Sequence, residues 1–236
     1  MMVSLGNFLF RNRNGLFPIF YLMLFVPSPE AFGNPVTAML VGFTITLLGQ
    51  LVRVATIGLV YIMRGGRNRR VYAEELVTSG IFAHCRNPLY VGNILILAGL
   101  GVASNSIIFL TIFLPVFLFF YQAIVLAEEN FLRNKFGEEY DAYCKKVNRW
   151  IPNLKGISKT LQSMEFKWKR VIIREYNSTY IWMTGAVLII MKHYYIHDEQ
   201  FDFSPNLVTF LLLLVSLLFL YLFARYLKKS KTLVSD

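Results

Sequence analysis

Three stretches of this chain are too long and too apolar to remain in water: residues 36–62, 107–127 and 207–224. Each can cross a hydrocarbon core about 30 Å thick, which takes roughly 20 residues of helix. Shorter apolar stretches at 16–27, 89–103 and 179–196 bring the expected crossings to about six. A bilayer holds no water to satisfy backbone N–H and C=O groups, so only helices or closed barrels can span it. These runs are too long and too continuously apolar for barrel strands. The expected fold class is all-α: a polytopic integral membrane protein with about six transmembrane helices and one interfacial amphipathic helix. Composition agrees. Of 236 residues, 56% are hydrophobic and 16% aromatic, and mean hydropathy is +0.49; soluble domains average roughly 45–50% apolar. Arg11 and Arg13 interrupt the apolar start, and no small-residue cleavage site follows it, so no cleavable signal is expected.

The net charge of +10 is informative by position. Lys and Arg cluster at 11–13, 64–70, 86, 133–174 and 225–231, and of the 24 only Arg53 and Lys192 lie elsewhere. With six crossings every cluster falls on one side. The other side receives 28–35, 104–106 and 197–205, which carry Glu30, Asp198, Glu199 and Asp202 and no Lys or Arg. Positive loops stay in the cytoplasm, so both termini are expected there. Topology thus accounts for the basic charge, and a nucleic-acid partner is not expected. Cys85 and Cys144 fall on the reducing side, so no disulfide is expected. Two Cys and three scattered His give no zinc-type spacing.

The chain divides into an N-terminal leader and first crossing (1–33), a membrane core (34–154), and a basic linker with a C-terminal hairpin (155–236). Within the core, residues 128–152 read as an amphipathic helix on the membrane surface. Phe131, Leu132, Phe136, Tyr140, Tyr143 and Val147 recur mostly every three or four residues, and Pro152 ends the pattern. Residues 153–177 read as a cytoplasmic linker.

The crossings 88–103 and 107–127 form a there-and-back hairpin that turns at Ser104-Asn105-Ser106. Such a hairpin returns Glu128-Glu129 to the bilayer face that Arg86-Asn87-Pro88-Leu89-Tyr90-Val91-Gly92 left. Asn87-Pro88 reads as a helix start, with Asn as N-cap and Pro at the first position. Arg86 and Tyr90, four apart, lie near one face of that helix. Gly92, Asn93, Gly99 and Gly101 permit close approach of a neighbouring helix or of a ligand. Glu128 and Glu129 read either as a solvated helix end or as carboxylates for ribose hydroxyls, an ammonium group or a sulfonium. Arg53 lies roughly 13 Å inside its apolar segment, where an ionisable residue is expensive and a functional candidate. No acid shares its crossing, so its expected partner is Glu128, Glu129, water or an anionic part of a substrate. His84 reads as a surface residue or, less readily, a general base. Tyr140, Tyr143 and Trp150 read as interfacial aromatics.

Taken in order, these segments resemble the isoprenylcysteine carboxyl methyltransferase and phospholipid methyltransferase superfamily. The resemblance covers roughly residues 47–154. It runs through Leu47-Leu48-Gly49-Gln50-Leu51-Val52-Arg53, Leu76-Val77-Thr78-Ser79-Gly80-Ile81-Phe82 and the Arg86–Gly92 segment. It continues with Glu128-Glu129, Phe136-Gly137-Glu138-Glu139-Tyr140 with Tyr143, and Arg149-Trp150-Ile151-Pro152. It implies S-adenosylmethionine as methyl donor, bound at the cytoplasmic face without a Rossmann domain, and a lipid or other apolar acceptor bearing a carboxylate, amine or thiol; methyl transfer from a sulfonium requires no metal. Carried over on the matching motifs, the cofactor-binding candidates are Arg86, Asn87, Pro88, Tyr90, Gly92, Glu128 and Glu129. The candidates for direct roles in transfer are Arg53, Arg86 and Glu129. The carboxyl methyltransferase pattern commonly has His before Pro, where this chain has Asn87; phospholipid-type members often show Asn.

Two other readings compete. Steroid-reductase-like NADPH enzymes share an Arg-x-Pro-x-Tyr and acidic layout, but their Asn-Tyr-x-Gly-Glu run is absent, since Asn93 follows Gly92. A non-catalytic scaffold or small transporter is the third; transport predicts interrupted helices or repeats, and the sequence shows neither. The charge pattern makes a direct prediction. A single cysteine at position 68 is expected to resist an impermeant thiol reagent added outside intact cells; labelling from outside would contradict the topology.

Overall fold

The computed structural model describes residues 1–60, 71–197, 205–230 and 233. The end of the 36–62 stretch, the basic run 64–70, the acidic loop 198–204 and most of 231–236 lie outside the described residues. The described chain is all-helical, with no strand beyond an isolated Glu30–Ser106 bridge. Its helices are α1 (Met2–Met23), α2 (Pro35–Leu59), α3 (Pro88–Ala103), α4 (Leu114–Phe136), α5 (Glu138–Lys146), α6 (Ile157–Gln162), α7 (Trp168–His197) and α8 (Pro205–Lys229). A π-helical turn, Phe109–Phe113, leads into α4, and a short 3-10 turn, Gly80–Ala83, precedes α3.

Most of the described residues of each of the six apolar stretches fall in helices. By length and composition, three helical segments among the described residues suffice to cross a membrane: Pro35–Leu59, Phe109–Phe136 and Asn206–Lys229. α3 is a shorter apolar helix. The leader is not separate from the first apolar stretch, because α1 runs as one helix from Met2 through Pro18 to Met23. The amphipathic helix expected over 128–152 is in fact two pieces. α4 continues to Phe136, Gly137 breaks it at φ 53°, and α5 ends at Lys146, before Pro152. A positive φ favours glycine, which has no Cβ to clash. The apolar periodicity still has a purpose, since Tyr140, Tyr143 and Val147 pack with Leu132, Phe136 and Leu76 in one cluster. Much of the expected linker 153–177 is helical too, because α6 lies within it and α7 begins at Trp168.

The long helices alternate in direction. At one end, Ala31 N donates to Asn105 O at 3.1 Å and Ile107 N to Pro29 O at 3.2 Å. Asn105, at φ 55°, accepts from Phe32 N at 2.8 Å and donates to Phe32 O at 2.9 Å through its side chain. The last turns of α7 reach this end as well: Lys192 donates to Leu24 O at 3.4 Å, and a His193 ring nitrogen bonds Ala103 O at 2.9 Å. At the opposite end, Arg86 N donates to Asn148 O at 2.9 Å and Lys167 N to Gly58 O at 2.9 Å. Arg13, Arg86, Arg174 and Lys228, from four of the basic clusters, line one cavity at that second end.

The most extensive helix–helix contact is α2 on α3. Glycines make it possible. A Cβ on Gly49 would lie 2.7 Å from Gly92 O, and a Cβ on Gly92 would lie 2.5 Å from Arg53 Cγ. In lipid, helices associate through such close backbone approach, because apolar burial between them gains little. Gly49→Val is therefore expected to force the two helices apart at a cost of about 1–3 kcal/mol. Thermal unfolding of the purified protein in detergent checks this; an unchanged midpoint would contradict the close α2–α3 approach.

Candidate functional site

A cavity of about 1200 Å³ opens at the basic end, between α1, α2, α3, α4, α5, α7 and the end of α8. Most of the singled-out residues line it: Arg53, Arg86, Asn87, Pro88, Tyr90, Glu128 and Glu129. Gly92 does not. Its open side is filled by Gly49 and the Arg53 stem, so it is a packing residue here and not a ligand contact.

Glu129 sits at the centre of the acidic wall and is 5% exposed. Arg149 grips it in two places, Nε to Oε1 at 2.8 Å and Nη2 to Oε2 at 2.7 Å, and Arg86 Nη1 approaches Oε1 at 3.3 Å. This fork fits a carboxylate in a way a lysine could not. The hydrogen bond to Glu129 raises the Arg149 pKa further, so the guanidinium stays charged. Arg86 also reaches Cys144 Sγ, while its Nε is buried with no hydrogen-bond partner. Glu128 accepts from Tyr90 Oη at 2.6 Å, which leaves the carboxylate with further acceptor capacity.

The local backbone explains why these groups meet. The segment 84–87 lies along 148–153: Arg86 N donates to Asn148 O at 2.9 Å and Asn153 N to His84 O at 2.9 Å. Asn87 occupies the N-cap position of α3, but its side chain makes no capping bond and donates instead to Arg149 O at 3.2 Å. His84 is buried, with Nδ1 2.6 Å from Asn153 O and Nε2 2.9 Å from Thr160 Oγ1. Both ring nitrogens are engaged in holding this seam, which removes it as a general base. Tyr140 is 2% exposed and Tyr143 8%. Burial raises both phenols well above their ordinary range, so they are neutral walls of the cavity rather than surface anchors. Tyr143 Oη donates to Phe82 O at 2.7 Å, and Trp150 Nε1 to Gln122 Oε1 at 3.1 Å.

Deeper in the cavity lies Arg53, and here the sequence expectation is corrected. Its partner is neither Glu128, Glu129 nor a substrate but Glu175 of α7. Arg53 Nε and Nη2 donate to the two Glu175 oxygens at 2.7 Å each. The side chains are 2% and 3% exposed. Nη2 also reaches Ser178 Oγ at 3.1 Å, Nη1 reaches Asn93 Oδ1, and Asn93 Nδ2 donates to Tyr121 Oη at 2.7 Å. One turn away on α2, Gln50 donates to Thr179 Oγ1 at 3.3 Å and accepts from Trp182 Nε1 at 2.9 Å. The guanidinium charge is therefore already balanced. The signal for this partner was present in the sequence. Glu175, Ser178, Thr179 and Trp182 form an i, i+3, i+4, i+7 stripe on α7, facing an i, i+3 pair on α2. Assigning 153–177 to a linker hid it.

Among the described residues no group of three or more His, Cys, Asp or Glu is placed to hold a metal ion.

Comparison with known proteins adds the following. Residues 37–139 match the phospholipid methyltransferase family. The cobalt-zinc-cadmium resistance protein CzcN of Cupriavidus metallidurans is 28% identical over 206 residues, covering 83% of this chain and 88% of that protein. The nickel-cobalt-cadmium resistance protein NccN of Alcaligenes xylosoxydans xylosoxydans is 33% identical over 111 residues, 47% of this chain and 50% of that protein. The protein-S-isoprenylcysteine O-methyltransferase of Schizosaccharomyces pombe is 35% identical over 77 residues, 33% of each chain. No solved structure matches. The similarity favours the methyltransferase reading over the reductase.

The buried pair makes a prediction. Removing one partner strands a charge, a loss of about 3–5 kcal/mol, whereas replacing both with apolar residues is far milder. Glu175→Leu is expected to destabilise strongly, and Arg53→Leu/Glu175→Leu to recover most of that loss. Chemical unfolding in detergent measures both; a Glu175→Leu protein as stable as wild type would contradict the pairing.

Proposed function

We propose that this chain, which is similar to the isoprenylcysteine carboxyl methyltransferase and phospholipid methyltransferase superfamily, is an integral-membrane methyltransferase using S-adenosylmethionine to methylate a lipid or other apolar acceptor. The observation that carries this reading is the shared cavity of Arg86, Tyr90, Glu128 and Glu129 at the basic end of the helices. On the positive-inside argument that end is cytoplasmic, with both termini, where a polar cofactor is available.

The cavity suits the cofactor chemically. S-adenosylmethionine supplies a methyl group already activated on a sulfonium. In this reading Glu128, whose carboxylate has acceptor capacity beyond its bond to Tyr90, receives an ammonium or ribose hydroxyls. Glu129 is oriented by Arg86 and Arg149, and the orphaned Arg86 Nε offers a donor to a ligand acceptor. Tyr90, Tyr140 and Tyr143 supply aromatic surface. The chain's task is alignment and exclusion of water, not electrophilic activation. In this reading Arg53 is a positioning residue. It fixes α2, α3 and α7 around the cavity and does not itself receive the acceptor.

Truncating a charged partner in such a site removes roughly 1.5–3 kcal/mol per hydrogen bond. Glu128→Ala/Glu129→Ala is expected to weaken S-adenosylmethionine binding by about tenfold or more, measured by calorimetry on purified protein. Unchanged affinity in a folded double variant would move the site elsewhere.

A further inference from the structure

We propose that Arg13 of α1 receives the α-carboxylate of S-adenosylmethionine while Glu128 receives its α-ammonium, so that the amino-acid end of the cofactor is clasped between α1 and α4. The proposal rests on the S-adenosylmethionine reading of the cavity and deepens it. It gives a part of the site to α1, which lies outside the matched residues 37–139.

Among the described residues Arg13, Arg53, Arg86, Arg174 and Lys228 are the cations that line the cavity. Four of them already have partners. Arg53 is held by Glu175 at two points, and Arg86 faces Glu129. Arg174 and Lys228 have partners of their own. Arg13 makes neither a hydrogen bond nor an ion pair among the described residues. Its contact is with a ring: the guanidinium carbon lies over Phe10, 4.1 Å from the ring centre. A ring face stabilises the charge without using an N–H group, and the planar guanidinium keeps its five donors at its edge. Phe10 is 4% exposed and packs with Leu9, Ala123 and Ile124, so Arg13 is anchored beside α4. A partly buried cation without an anion is costly, and it gains most from a ligand that supplies one.

The ligand that fits is set by what lies next to Arg13. Its charge acts through space on both Glu128 and Tyr90, and Tyr90 Oη donates to Glu128 at 2.6 Å. A guanidinium and a carboxylate thus line one cavity within electrostatic reach of each other, yet no ion pair joins them. An amino-acid zwitterion carries its ammonium and its carboxylate on one carbon. It fits between two such groups with each charge facing its opposite, and the hydrogen bonds formed are charge-assisted on both sides. S-adenosylmethionine has one such end, joined through the sulfonium to the nucleoside. The plainer alternative is that Arg13 is one more basic anchor that keeps the start of α1 in the cytoplasm. Arg11 separates the two ideas. It lies two residues earlier on the same helix, and it lines a smaller pocket of about 410 Å³ with Asn7, Asn130 and Asn134 instead of this cavity.

The test compares two ligands by calorimetry on the purified full chain in neutral detergent. One is S-adenosylmethionine. The other is its decarboxylated analogue, which keeps the nucleoside, the sulfonium and the ammonium and lacks only the carboxylate. Wild type is expected to prefer S-adenosylmethionine by about tenfold or more, as a hydrogen bond between charged groups would give. Arg13→Gln is expected to bind S-adenosylmethionine about tenfold more weakly and the analogue as wild type does, so that the preference disappears. Unchanged binding of the analogue also shows that the variant is folded. Arg13→Met, which keeps an apolar stem on Phe10, is expected to behave in the same way and guards against a glutamine variant that fails to fold. Arg11→Gln is expected to keep the full preference. A wild type that binds both ligands equally, or an Arg13→Gln or Arg13→Met protein that keeps the wild-type preference, would overturn the proposal and leave the cofactor reading standing. An equal loss in Arg11→Gln would do the same, since both arginines would then be general anchors. Binding of neither ligand to folded wild type would instead remove the cofactor reading, and this proposal with it.

Discussion

The Glu129 carboxylate, held by Arg149 in a two-point grip and flanked by Arg86, is the contact around which the polar end of this protein is organised. Three separate pieces of chain meet in it: the turn before α3, the C-terminal part of α4, and the irregular segment after α5. A nearly buried carboxylate is tolerated only where cations and hydrogen bonds replace the lost water. Backbone pairing of 84–87 with 148–153 provides that geometry, and Asn87 and His84 use their side chains to hold it. Cavity, aromatic walls and Glu128 all follow from where this junction sits.

A second buried ion pair, Arg53 with Glu175, does the corresponding work toward the middle of the helices. It joins the small-residue contact between α2 and α3 to α7, and the Gln50–Thr179–Trp182 bonds extend the seam by a turn. The C-terminal hairpin is thus tied to the core by polar contacts in surroundings where such contacts are hard to exchange for water. The α8 helix, by contrast, carries a largely exposed apolar surface, as a helix facing lipid would.

Much of this was legible in the sequence because a membrane restricts the alternatives so strongly. Apolar length located the six long helices among the described residues, and a there-and-back hairpin was enough to bring Arg86 and Tyr90 to Glu128 and Glu129. Three features escaped for identifiable reasons. The single helix expected over 128–152 runs through Gly137, although a glycine there ends α4. The basic character of 153–177 suggests a linker, whereas from Trp168 on it is the first turns of α7 and carries Glu175. Asn87 before Pro88 predicted a capping bond, but the side chain is claimed by Arg149 O, a partner 62 residues away that no local rule reveals. Long-range polar pairing is what a local pattern does not encode, and it decides the role of Arg53.

The central claim is that the cavity at the basic end takes S-adenosylmethionine. Calorimetric titration of the purified wild-type protein with S-adenosylmethionine and, separately, with NADPH tests it most directly. The account predicts saturable, one-to-one binding of S-adenosylmethionine and none of NADPH. Binding of NADPH with no response to S-adenosylmethionine would contradict it and return the cavity to a reductase.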